Sequence, residues 1–150
     1  MHPALLPDPE LLKAANINPS TGLATDYLNH YNEIAMMIAT LGDMPEMRDS
    51  VLDWRPIGYA THFNKTGFRD RDLAVAAYEV APAEVKARFL AARRELELAI
   101  IDVQDLIEAA PVASAQLAER APDIFAAIAR LGAVINGDQS GAAAADSLFS

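Results

Sequence analysis

At 150 residues the chain is long enough for one domain with its own hydrophobic core. It carries 21 acidic against 12 basic residues, a formal net charge of −9, which repels phosphate backbones and argues against nucleic-acid binding. It has no cysteine, which excludes disulfides, thiolate metal sites and thiol nucleophiles within this sequence.

Residues 1–7 read as extended, because Pro3 and Pro7 interrupt any helix. Pro9 to Ala15 reads as a short helical turn with Asp8 as its cap and Pro9 at its first position. Asn16 to Gly22 is rich in turn residues. Residues 1–22 are therefore expected to form an N-terminal arm ahead of a bundle domain at 23–136.

The first strong helix is expected from Thr25 to Leu41, with Leu23, Tyr27, Tyr31, Ile34, Ile38 and Leu41 recurring at helical spacing. Asp43 is expected to cap a second helix, Met44 to Trp54, which Arg55-Pro56 stops. A third short helix is expected from Pro56 to about Lys65, ended by Gly67, and a fourth from Arg69 to Val80. The longest follows Pro82 and reaches Ala110 on an apolar stripe of Val85, Phe89, Ala92, Leu96, Ala99, Ile100, Val103 and Ile107. A second apolar line, Leu90, Leu98 and Ile101, lies roughly opposite, which makes that helix either central in a bundle or the bearer of a partner seam. A turn or two of helix after Pro111 leads to a last helix opened by Pro122 and stopped at Asn136-Gly137.

No segment alternates with period two, so the expected fold is all-α: a single-domain helical bundle of three to four main helices with short helices packed on it. Residues 137–150 read as an Ala-rich tail ending in Asp146-Ser-Leu148-Phe149, a pattern that suits a docking peptide as well as a frayed end. No apolar run approaches the ~18 residues of a membrane span, and the first residues carry acids with no basic leader. A cytoplasmic protein that meets neither membrane nor nucleic acid is the expectation.

The chemically distinctive residues concentrate between Thr25 and Phe68: two of the three histidines, the single tryptophan and three of the four tyrosines. Asp26, His30 and Glu33 fall on one line of a helix, a carboxylate–imidazole–carboxylate set that can hold a divalent metal if His62 joins from another helix. Trp54, Arg55, Tyr59, His62 and Lys65 form a corner of the residue types that anchor interfaces.

Tyr59-Ala-Thr-His62-Phe-Asn-Lys65-Thr-Gly67 locally resembles the phosphoacceptor helix of histidine phosphotransfer domains, which are acidic helical bundles. His62 and Lys65 match that motif's spacing, whereas Thr66 stands at its glycine position and Asn64 at an apolar one. The resemblance implies His62 as an exposed acceptor, with Lys65 steadying the phosphoryl charge. Gly-x-Ser-x-Gly and glycine-rich phosphate loops are absent from the sequence.

The leading functional expectation is a small acidic interaction protein, regulatory or adaptor-like, without catalytic activity or cofactor. It would bind another protein or itself, with a homodimer through Leu90, Leu98 and Ile101. The alternatives are a bundle binding a divalent metal or small ligand with Asp26, His30, Glu33 and His62, and a degenerate phosphotransfer module using His62.

Overall fold

The computed structural model describes residues 6–109 and 114–137. Among these residues there is no strand, and the protein is all-α. The elements are α1 (Pro9–Ala14), α2 (Leu28–Ala39), α3 (Arg48–Asp53), α4 (Tyr59–Lys65), α5 (Arg71–Glu79), α6 (Ala83–Ala109), α7 (Ser114–Ala118) and α8 (Ala121–Ile135), with single 3₁₀ turns at Thr25–Tyr27 and Pro45–Met47.

The apolar periodicities decide which faces turn inward. On α6 the buried residues are Phe89, Leu96, Ile100, Val103 and Ile107, the stripe read from the sequence except for Val85, Ala92 and Ala99, which are half-buried. On α8 the inward line is Ile124, Ile128, Leu131 and Ile135. Helix α8 packs against both α6 and α2, and the short helices fill the remaining sides, α3 against α2 and α6, α4 against α5.

Several element boundaries differ from the sequence reading. The expected helix over 25–41 begins as a 3₁₀ turn, and its α-helical part starts only at Leu28. Pro45, rather than Asp43, opens the next element, because it has a fixed φ and no N–H to leave unpaired. Helix α4 starts three residues after Pro56, behind the extended Gly58.

Residues 9–22 also depart from the expected arm. Leu12, Ala15 and Ile17 are buried members of the main core. The following turn closes over the end of α8. Thr21 Oγ1 donates to the Ile135 carbonyl at 2.6 Å and Asn18 Nδ2 donates to the Asn136 carbonyl at 3.1 Å. These bonds satisfy carbonyls that a helix C-terminus leaves without partners. Asn18 Oδ1 in turn accepts from the backbone N–H groups of Ser20 and Thr21, which fixes the turn. The tail expectation at 138–150 lies outside the described residues.

Two glycines give the fold a direct test. Gly22 has φ +75°, and a Cβ there would stand 2.9 Å from the Ala77 carbonyl oxygen and 2.6 Å from Leu6 Cδ2. Gly67 has φ +71° but open space around it. Gly67→Ala is expected to cost about 1 kcal/mol from left-handed backbone alone. Gly22→Ala adds a backbone clash, and its expected cost is about 2 kcal/mol or more. Urea unfolding of the two variants checks the order; equal costs would contradict the close approach of this turn to α5.

Candidate functional site

Tyr27 ends the 3₁₀ turn before α2 and is fully buried. Around its ring stand Tyr31 (5.4 Å between centroids), Tyr59 (5.3 Å), His62 (5.5 Å) and Phe89 (5.7 Å). These come from α2, α4 and α6, so one phenol joins three helices. Aromatic rings stabilise such clusters through burial and through edge-to-face contacts between ring quadrupoles. Tyr59, Phe63, Tyr78 and Phe68 extend the cluster toward α5.

The hydroxyls at its centre are tethered. Tyr27 donates to the Ile57 carbonyl at 2.7 Å, Tyr31 donates to Glu97 Oε1 at 2.8 Å, and the two hydroxyl oxygens are 3.0 Å apart. Arg93 Nε donates to the same Glu97 oxygen at 2.8 Å. Tyr59 Oη accepts from the Ala24 N–H at 2.8 Å. Desolvation raises the pKa of Tyr27, Tyr31 and Tyr59 above the ordinary phenol value, most strongly at Tyr31, where Tyr27 and the Glu97 carboxylate add to it. At Arg93 burial opposes the charge, but the Glu97 hydrogen bond and its neighbours outweigh it and leave the pKa raised.

His62 and Asp26 form the one close imidazole–carboxylate pair among the described residues. Their Nε2 and Oδ2 are 2.9 Å apart. An ionised carboxylate can only accept, so the proton sits on Nε2. His62 is 3% exposed and lies edge-on to Tyr27 and Phe63. Among the described residues no hydroxyl hydrogen-bonds its ring to complete a nucleophilic triad. Asp26 is half-buried and borders a polar groove with Asn16, Thr25, Asn29 and Phe68.

His30 is engaged elsewhere. Its Nε2 lies 2.7 Å from the Arg55 carbonyl oxygen, and its ring stacks on Trp54 at 4.7 Å and 24°. Glu33 is exposed. Among the described residues no group of three or more His, Asp or Glu side chains is placed to hold a metal ion. The expected set of Asp26, His30, Glu33 and His62 is thus not brought together. The break before Pro56 sets the Arg55 carbonyl against His30, while α4 carries His62 inward to Asp26. This arrangement corrects the metal-set expectation.

The phosphotransfer resemblance is corrected on the same geometry. His62 faces the core with Nε2 on a carboxylate, whereas Lys65 and Thr66 are exposed. A phosphoacceptor imidazole has to reach solvent, and this one does not.

The expected binding corner divides into inside and outside. Trp54, Tyr59 and His62 are buried; Arg55 and Lys65 are exposed. Arg55 turns back to donate to the Leu52 and Trp54 carbonyls at 2.6 and 2.7 Å, and Gln104 of α6 donates to the Val51 and Trp54 carbonyls at 2.9 and 3.0 Å. These bonds satisfy the end of α3. The Trp54 indole N–H is buried without a hydrogen-bond partner among the described residues. Sequence reasoning missed Gln104 at this helix end, and Arg93 and Glu97 beside the Tyr31 hydroxyl. The available signal was Arg93 and Glu97 at i, i+4 on the flank of the α6 core stripe.

No protein-family profile, curated protein sequence or solved structure matches the chain.

The buried phenols fix the sign of a pH response. Above the ordinary phenol pKa of about 10 an unfolded chain releases protons that the folded chain retains. Unfolding therefore releases protons, and stability is expected to fall as pH rises through that range. Phenolate absorbance should appear together with the loss of helical circular dichroism, and Tyr31→Phe should flatten the slope of stability against pH. Free titration of these phenols in the folded protein would contradict the cluster.

Proposed function

We propose that this protein is a helical interaction module, an adaptor or regulatory subunit, whose working surface is the outer face of α6. The observation that carries this reading is the exposure of Leu90, Leu98 and Ile101, each between 44% and 54%, on the side of α6 opposite its core stripe. Single exposed apolar side chains are ordinary on protein surfaces, but three on one face of the longest helix make an ordered stripe. The histidine and aromatic groups that would otherwise suggest chemistry are engaged inside the fold, with His62 on Asp26 and His30 between Trp54 and the Arg55 carbonyl.

The fold does not depend on this face, which allows a separate test. Replacing Leu98 and Ile101 together by Glu is expected to change stability by no more than about 1 kcal/mol, as surface substitutions do. The same change should remove the cross-linked species formed by the protein in living cells through a photoreactive group placed at Leu90. An unchanged cross-linking pattern in a folded variant would overturn the reading.

A further inference from the structure

We infer that the partner seated on α6 is a second copy of this chain, packed antiparallel through α6 itself, an inference that rests on the interaction reading above. The solvent face of α6 carries a row of residues of its own, apart from the buried stripe. Ala91, Arg94, Leu98, Ile101, Asp105 and Glu108 are all exposed and follow one another at steps of three, four, three, four and three residues. That spacing keeps the row aligned with a neighbouring helix, with Leu98 and Ile101 as the large apolar pair at its middle and charges on either side.

The charges along this seam set the direction of the second helix. Arg94 lies toward the N-terminal end and Asp105 and Glu108 toward the C-terminal end. Among the described residues none of the three has an ion-pair partner, whereas Glu95 is paired with Arg130 and Asp102 with Arg120. A parallel pair would set Arg94 against Arg94 and Asp105 against Asp105. An antiparallel pair centred between Leu98 and Ile101 sets Leu98 of each copy against Ile101 of the other, and Arg94 against Asp105. Two-fold symmetry repeats both contacts, as an isologous dimer requires. Beside this row, Ile101, Asp105 and Glu108 line a groove with Leu52, Arg55, Pro56 and Gln104, which in this register faces the Leu90–Arg94 turn of the other copy. Helix dipoles also favour the antiparallel arrangement.

The seam is short. Residues 91–108 overlap over roughly 27 Å at 1.5 Å per residue. Two helices meeting over that length form a contact toward the small end of specific interfaces, so the dimer should be weak and concentration-dependent. Sedimentation equilibrium of the full chain at low salt, over a wide concentration range, tests the inference with four variants. Arg94→Glu alone and Asp105→Arg alone should each weaken the dimer by about tenfold, since each places like charges together twice. The double variant should return to within about threefold of the original affinity, because it exchanges the two partners of each pair. A monomer at every concentration overturns the inference. A dimer indifferent to the single variants, or one that the double variant does not restore, overturns the antiparallel register. If that dimer is still abolished by Leu98→Glu with Ile101→Glu, the interaction reading survives while the register fails; if it is not abolished, both fail.

Discussion

The rest of the structure depends on the burial of Tyr27. Its ring fills the junction of α2, α4 and α6, and its hydroxyl is held by the Ile57 carbonyl and lies against the Tyr31 hydroxyl. A phenol placed there has to bring its polar end to partners, because an unsatisfied buried hydroxyl costs about 1–3 kcal/mol. That requirement draws in the extended link before α4, then Tyr31, then Glu97 and Arg93 of α6. The short helices between Pro45 and Glu79 cannot hold themselves together by propensity alone. Helices α4 and α5 enter the cluster through Tyr59, Phe63 and Tyr78, whereas α3 is held by buried Val51, by Gln104 and by Trp54 at its end, which lies against Tyr31.

The cluster also accounts for the histidines. With Tyr27 at the centre, α4 can close only by bringing His62 inside, and a buried imidazole needs a hydrogen-bond partner. Asp26, next to Tyr27 in the same turn, supplies it. His30, one turn further along, looks the other way and covers Trp54. Two histidines 32 positions apart in the chain are thus used for two separate packing tasks.

The fold was legible where periodicity is strong. Apart from half-buried Val85, Ala92 and Ala99 the α6 stripe is buried as read, and Leu90, Leu98 and Ile101 are exposed opposite it. Asn136-Gly137 ends α8 as expected, with Gly137 at φ +67°. The short helix after Asp8 is present as read, but the burial of Leu12 and Ile17 in the main core was not legible, because it is decided by distant contacts rather than by any local repeat. The candidate site was legible in its residue types but not in its geometry. Spacing along one helix places Asp26, His30 and Glu33 on a line, yet it carries no information about the bend at Arg55-Pro56. That bend decides which imidazole meets which carboxylate. Polar aromatic residues in a cluster look like a surface when read along the chain, whereas here they form the interior.

On α6 the side chains of Leu90, Leu98 and Ile101 stay outward, and the division between a closed aromatic interior and this exposed face is the centre of the account. Side-chain footprinting by carbene labelling, read residue by residue across a protein concentration series, measures both halves at once. The account predicts that Tyr27, Tyr31, Trp54 and Tyr59 stay unlabelled throughout, while Leu90, Leu98 and Ile101 label in dilute protein and lose that labelling as concentration rises. Labelling of Trp54 or Tyr27 in the folded protein, or labelling of Leu98 and Ile101 that does not change with concentration, would contradict it.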